Sequence, residues 1–248
     1  MPLVHKKESV FHYLGNFNEH SALLLLSLLV GADLVFFAIQ FLLPFFPSMG
    51  NNPLLFIQKD GGYPEMYQYL KWFWIIILLI YMVKLKRSFC YGAWALVFTY
   101  FLCDDALRTR EVIASKIAQK LSIIPPFGLR LQDLGELAVA GVVCALMVVL
   151  IALACWYGSK AFRKYSCDML LLIVLLAFFG VFADLGYIIL FQLFDWKVML
   201  IVGVLEEGGE MLVASLILWY VFLQSLRDEY TTVYLCDFMN IIRARKTT

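Results

Sequence analysis

Six apolar stretches, each long enough to cross a bilayer, limit what this chain can fold into. A membrane-spanning helix needs about 20 predominantly apolar residues, and the stretches cover approximately residues 21–46, 67–85, 89–107, 131–157, 168–194 and 197–226. Hydrophobic residues make up 62% of the chain and charged residues 16%, whereas soluble domains are about 45–50% apolar and about 25% charged. The sequence therefore predicts an all-α, polytopic membrane helix bundle of about six transmembrane helices, in contact with the lipid bilayer.

These stretches divide the chain into three parts. We expect a cytoplasmic N-terminal segment at residues 1–20, a six-span transmembrane domain at 21–226 and a cytoplasmic C-terminal tail at 227–248. Prolines and glycines between residues 44 and 64 predict a loop after the first span, because proline cannot continue a helix.

The segment after the third stretch has a different pattern. Apolar residues recur at helical spacing among charges between Asp105 and Leu121, which predicts a helix with one apolar face. We expect the third span to extend into this amphipathic helix. It would either continue as one long helix to about Ser122 or turn so that the second helix lies on the membrane surface.

The lysines and arginines of the loops predict the orientation in the membrane. Twelve of the twenty lie on one predicted side, namely Lys6, Lys7, Lys84, Lys86, Arg87, Lys160, Arg163, Lys164, Arg227, Arg243, Arg245 and Lys246. The other side has Lys59, Lys71, Lys197 and five more between residues 108 and 130. Since loops rich in lysine and arginine face the cytoplasm, we expect both termini to be cytoplasmic and the membrane to be a plasma (inner) membrane. Trp72 and Tyr69, near the predicted outer ends, fit an aromatic belt and packing.

Composition also limits cofactors and partners. The net charge of +1 indicates no nucleic-acid partner. The three histidines, His5, His12 and His20, all precede the first apolar stretch, so no haem is expected within the bundle. The six cysteines form no CxxC pair and are interpreted as small buried hydrophobic residues. A homo-oligomer or other membrane subunits stay open as protein partners.

The sixth apolar stretch contains the most informative motif. Glu206, Glu207 and Glu210 fall within about 100° of the helix circumference, while Gly208 and Gly209 point elsewhere and would allow close helix approach. Three ionised carboxylates so close would repel each other strongly. We therefore expect at least one to be neutral or a cation to lie among them, and Mg²⁺, Mn²⁺ or Ca²⁺ are the candidate metals for these three glutamates.

Other predicted spans contain further acidic residues. These are Asp33 in span 1, Asp104 and Asp105 in span 3, Asp133 and Glu136 at the start of span 4, and Asp184 in span 5. Arg108 follows the two aspartates of span 3 at spacings that allow ion pairs, with Glu111 close behind. Asp133 and Glu136 lie three residues apart at the start of span 4, where negative charges interact favourably with the helix dipole. Asp33 is expected to hydrogen-bond a neighbouring helix.

The depths of these residues are related. The glutamates of span 6 and Asp184 of span 5 each lie about ten residues from the same predicted face, or ~15 Å at 1.5 Å per residue. Four other acids, Asp104, Asp105, Asp133 and Glu136, lie nearer the outer mouth. The sequence therefore predicts an acidic cavity that opens to the outside and reaches the centre of the bilayer.

Three functions agree with this pattern. The first is binding or conduction of a cation or proton, with Glu206, Glu207, Glu210, Asp184, Asp104 and Asp105 as the site and Arg108, Glu111, Asp133 and Glu136 as charge partners. The second is a metal-dependent membrane enzyme acting on a lipid or other membrane substrate, although no nucleophile motif accompanies the acids. The third is a non-catalytic subunit of a larger complex. The acidic runs are too short to identify a family.

Overall fold

The computed structural model describes residues 3–46, 52–118, 131–182 and 196–226, apart from the side chains at 3–19, 44, 118, 133, 181–182 and 196–202. Regular structure in these ranges is entirely helical, which confirms the all-α class. The seven α-helices are α1 (Leu3–Leu42), α2 (Tyr63–Leu85), α3 (Cys90–Leu107), α4 (Thr109–Ala118), α5 (Leu131–Tyr157), α6 (Lys160–Ala177) and α7 (Trp196–Leu226). Short 3₁₀ turns lie at Leu43–Phe45 and Pro53–Leu55, and a π-helical turn at Phe178–Phe182 continues α6.

Among the described residues, four helical segments are long and apolar enough to cross a membrane. They are His20–Leu42, Tyr63–Leu85, Leu134–Tyr157 and Gly203–Leu226, and they correspond to predicted spans 1, 2, 4 and 6. The chain therefore has the features of a multi-pass integral membrane protein.

Helix α3, the predicted third span, does not meet the same criterion, and the predicted fifth span is described only in part. Helix α3 has 18 residues and ends in a turn that contains Asp104 and Asp105. Helix α6 begins with the charged residues Lys160, Arg163 and Lys164. Residues 183–194, which complete the predicted fifth span, lie outside the described residues.

Helix α5 shows why the bundle needs an apolar solvent. Its span has a mean hydropathy of 3.0, and only 11% of it is buried in the protein. Leu137, Val142, Leu146 and Leu153 each expose more than half of their surface. A helix that is apolar on its exposed side is stable where the surroundings are apolar too, so this face suits lipid.

Helix α7 lies at the centre of the packing. It contacts α1, α2 and α6, and 67% of its span is buried. Ile217 and Val221 of α7, with Ile75 and Leu79 of α2 and Phe98 of α3, belong to one core and have no exposed surface.

The chain turns sharply between α3 and α4. Arg108 adopts a left-handed conformation with φ 49° and ψ 44°, which no α-helix can continue. The prediction of one long helix to about Ser122 is therefore wrong, and the alternative, a turn, is what the structure shows. Helix α4 packs against α5 through Ala114, which is fully buried, where Gly135 of α5 leaves room for its backbone.

Candidate functional site

A cavity of about 250 Å³ lies at the end of the bundle where α2 begins and α3 ends. Its described lining contains eight acidic residues, Asp60, Glu65, Asp104, Asp105, Glu111, Glu206, Glu207 and Glu210, and three basic residues, Lys59, Arg108 and Arg110. Seven of these eleven residues were predicted as site residues or charge partners from the sequence. Because acids outnumber bases, the cavity favours positively charged occupants.

Helix α7 supplies the inner wall with Glu206, Glu207 and Glu210. The Glu210 carboxylate lies directly against Gly180 of the π-helical turn, where a Cβ atom would overlap the Oε1 atom. Gly180 therefore leaves the space that this carboxylate occupies.

The two glycines of α7 act as the sequence predicted. A Cβ at Gly208 would lie 2.6 Å from the Phe37 ring of α1, and a Cβ at Gly209 would overlap the Phe179 ring. Both glycines thus allow neighbouring helices to approach α7 closely.

Aromatic residues of α2 hold the acids near the mouth. Trp72 Nε1 donates a hydrogen bond of 2.8 Å to Asp105 Oδ2. The Tyr69 hydroxyl lies 2.5 Å from Glu65 Oε1 and 3.0 Å from the Asp105 carbonyl oxygen. Trp72 is only 2% exposed and packs inside the bundle, which confirms packing and shows that its position in an aromatic belt is wrong.

Asp104 has a structural contact of its own. Its Oδ1 atom accepts hydrogen bonds from Thr109 Oγ1 at 2.6 Å and from the Arg110 backbone N–H at 2.9 Å. These contacts satisfy donors at the start of α4, as an N-terminal capping side chain does. Asp104 therefore fixes the turn as well as lining the cavity.

Arg108 pairs with a residue that the sequence did not single out. Its guanidinium Nη2 lies 2.8 Å from Asp60 Oδ2, and the two side chains are 46% and 65% exposed. The predicted helical pairing of Arg108 with Asp104 or Asp105 is wrong, because the left-handed backbone at Arg108 ends the helix on which that spacing depends. The Arg108–Asp60 pair marks the exposed rim of the cavity.

Gln68 of α2 lines the buried part of the cavity. It is 6% exposed, and neither its Oε1 nor its Nε2 atom has a hydrogen-bond partner in the structure. Sequence reasoning missed Gln68. A polar residue one turn from Glu65 and one turn before Lys71, on the same side of the helix, was the available signal.

An ion pair lies next to Gln68, one turn further along α2. Lys71 Nζ is 2.5 Å from Asp33 Oδ1 of α1, and both side chains have no exposed surface. Lys71 also donates to the Met211 carbonyl at 2.9 Å, and the Ser215 hydroxyl donates to Asp33 Oδ2 at 2.6 Å. The expectation that Asp33 hydrogen-bonds a neighbouring helix is confirmed, but counting Lys71 among the outer loop charges is wrong.

Of the three remaining predicted residues, only the side chain of Glu136 is described, and it lies away from the cavity. Glu136 accepts a hydrogen bond of 3.1 Å from Gln132 on the first turns of α5, outside the described lining. The side chain of Asp133 and the whole of Asp184 lie outside the described residues.

The geometry of the described residues gives no ready metal site. Among them, no group of three or more His, Cys, Asp or Glu side chains is arranged to hold a metal ion. The assignment of Mg²⁺, Mn²⁺ or Ca²⁺ to Glu206, Glu207 and Glu210 therefore lacks geometric support.

Compared with protein-family models, with curated proteins and with solved structures, the chain has no match in any of the three.

Proposed function

We propose that the acidic cavity binds a cation or proton from one side of the membrane and that the chain moves it across, as a transporter or channel-like protein. The observation that carries this proposal is the convergence of charged residues from α2, α3, α4 and α7 on one cavity. An acid at mid-bilayer costs roughly 2.5–3.5 kcal/mol on insertion scales, and such residues usually mark a pathway or a site.

The residues have different roles in this proposal. Glu207 and Glu210 of α7, with Glu206, form the inner binding wall. Asp105, oriented by Trp72, and Glu65, oriented by Tyr69, attract the cation closer to the mouth. The exposed Arg108–Asp60 pair stands at the rim, where it moderates the negative field.

We also propose that α3 and α6 cross the membrane, which makes six spans and places both termini in the cytoplasm of a plasma (inner) membrane. Lys71 supports this orientation, because a lysine buried in an ion pair no longer counts as a charge of the outer loops. Without Lys71, the predicted outer side has one basic residue fewer, so the excess of lysine and arginine on the predicted cytoplasmic side is larger. The cavity would then open to the outside.

Movement across the membrane requires a change of conformation. Past the Lys71–Asp33 pair, α7 packs through Ile217, Leu218 and Val221, which are almost completely buried. Within the described residues this core separates the cavity from the opposite end of the bundle. The arrangement fits a state that is open to one side, as in alternating access.

The cavity supports this proposal over a purely structural role. A purely structural subunit needs no polar space beside Glu207 and Glu210, and such a space is present.

The proposal is tested by flux in proteoliposomes that contain the purified chain. Gradients of H⁺, Na⁺, K⁺, Mg²⁺, Ca²⁺ and small ammonium compounds are applied in turn to the wild type and to the Glu207→Gln/Glu210→Gln variant. We expect one of them to move with the wild type and at least about tenfold slower with the variant. The matched control is Glu136→Gln, which changes an acid outside the described lining. Equal flux in the wild type and the double variant would contradict the proposal, as would no flux of any species.

A further inference from the structure

Gln68 gives chemical information that the acids alone do not. Its carboxamide is more than nine-tenths buried, lines the cavity and has no partner on either polar atom. Buried polar side-chain atoms in proteins nearly always have a hydrogen-bond partner, so an unpaired carboxamide needs an explanation. Its position at the cavity wall indicates that the partner comes from the cavity.

The neighbours of Gln68 on α2 are already engaged. Glu65 accepts hydrogen bonds from Tyr69 and from the Gly61 backbone. Lys71 donates to Asp33 and to the Met211 carbonyl. Gln68 therefore has its amide free on a wall where the adjacent charged groups are held in place.

A carboxamide places two demands on its partner. The Nε2 group needs a hydrogen-bond acceptor, and the Oε1 atom needs a donor. A bare metal ion or a proton offers no acceptor. A hydroxyl or a second carboxamide offers both an acceptor and a donor.

We propose that the cavity binds a small organic amine that also carries a hydroxyl or a carboxamide. The ammonium group would lie among the carboxylates, and the neutral polar group would pair with Gln68. This inference rests on the proposed function, because it takes the acidic cavity as a cation site. It names the class of cation.

The size of the cavity agrees with such a ligand. A volume of about 250 Å³ is far larger than a bare ion, and it lies below the usual range for drug-sized ligands, about 300–1,000 Å³. Residues three apart on a helix have Cβ atoms about 5–6 Å apart, so Glu65 and Gln68 can be reached by the two ends of a short molecule. The excess of acids disfavours a ligand that carries a carboxylate of its own.

Two probes of equal size and charge test the inference directly. These are 2-aminoethanol and propylamine, which differ only in a hydroxyl where the other has a methyl group. Binding of each to the full chain in detergent is measured by calorimetry. We expect the wild type to bind 2-aminoethanol at least about tenfold more tightly, because propylamine leaves the Gln68 amide unpaired.

Two variants locate the source of this preference. Gln68→Met keeps a similar volume without hydrogen-bonding groups, and we expect it to bind the two amines with about equal affinity. Gln224→Met is the matched control, because Gln224 is also buried with an unpartnered Nε2 atom but does not belong to the described lining. We expect this control to keep the wild-type preference.

The outcomes separate the inference from the proposed function. If the wild type binds both amines equally, water satisfies Gln68 and the inference is overturned, whereas the cation site stands. If the preference persists in Gln68→Met, it arises elsewhere and the inference is again overturned. If neither amine, metal ion nor proton binds, both proposals fail. Should no Gln68 variant fold, the wild-type ratio decides alone.

Discussion

The Lys71 ammonium lies 2.5 Å from the Asp33 carboxylate in a part of the bundle where neither side chain reaches solvent or lipid. Through Ser215 and the Met211 carbonyl, the same two groups bind α7. The pair therefore ties three helices together beside the cavity. A buried charge that loses its partner is strongly destabilising, whereas removal of both charges can be almost neutral.

Breaking this pair on one side should therefore destabilise the fold. We expect Asp33→Asn or Lys71→Met alone to lower the free energy of unfolding by about 3–5 kcal/mol. The double variant Asp33→Leu/Lys71→Met should recover most of that loss. Unfolding of the detergent-solubilised protein by a chemical denaturant measures the effect. Arg108→Ala, which breaks an exposed pair, is the control and should cost no more than about 1 kcal/mol. Single variants as stable as the double would contradict the interpretation.

The glycines of α7 give a second prediction. Gly208→Ala and Gly209→Ala place a methyl group against Phe37 and Phe179, and we expect each to destabilise the protein by about 1–3 kcal/mol. Gly141→Ala on α5 is the matched control, because a Cβ there meets no atom within 4 Å. Alanine favours a helix over glycine, so the control should be neutral or stabilising by up to about 1 kcal/mol. Equal melting temperatures for Gly141→Ala and Gly209→Ala would show that α7 is not closely packed.

Gly180 should behave differently from Gly208 and Gly209. The atom that a new Cβ would meet is the end of the Glu210 side chain, which can rotate away. We expect Gly180→Ala to change the free energy of unfolding by less than about 1 kcal/mol, within the range of a substitution that creates no cavity or trapped charge. Cation binding should weaken several-fold, because the carboxylate leaves its position. Unchanged affinity, measured by the same calorimetry, would remove Glu210 from the binding wall.

Two substitutions at Asp104 separate the effect of its hydrogen bonds to the start of α4 from the effect of its charge. Asp104→Asn keeps an oxygen that accepts from Thr109 and the Arg110 backbone, whereas Asp104→Ala removes it. We expect the alanine variant to lose about 1 kcal/mol relative to the asparagine variant. Hydrogen exchange of the α4 amides should then be faster in the alanine variant only. Similar exchange in both variants would show that Asp104 does not cap α4.

The pH dependence of binding follows from the chemistry of the cavity. A cation is attracted by ionised carboxylates and not by neutral carboxylic acids, so protons compete with it. We expect the affinity for a cation other than H⁺ to fall as the pH is lowered. In the Glu207→Gln/Glu210→Gln variant, we expect this affinity to fall less steeply. Calorimetry at several pH values measures this slope. A wild-type affinity that rises as the pH falls would contradict competition at these glutamates.

The membrane class and the positions of the main acids could be predicted from the sequence because both depend on local composition. A helix in lipid satisfies its backbone internally, so a long apolar run is sufficient to indicate a span. Glu206, Glu207 and Glu210 stood out because a charge is rare in such a run.

The contacts of the site could not be predicted in this way. The burial of Lys71 depends on the rotation of α2 toward α1 and α7, and the roles of Trp72 and Gln68 depend on that same rotation. The partner of Arg108 depends on the left-handed backbone of this one residue, which ends α3, and on the position of Asp60 in a separate loop. The roles of Asp184 as a site residue and of Asp133 as a charge partner stay predictions.

Sequence alone thus determined that this chain has long apolar helices able to cross a membrane, with acids inside them. Tertiary structure alone decided which acids meet, which are paired and where an unpaired amide faces the cavity. The physical reason is that hydropathy is a property of consecutive residues, whereas an ion pair or a cavity depends on which helix faces pack together.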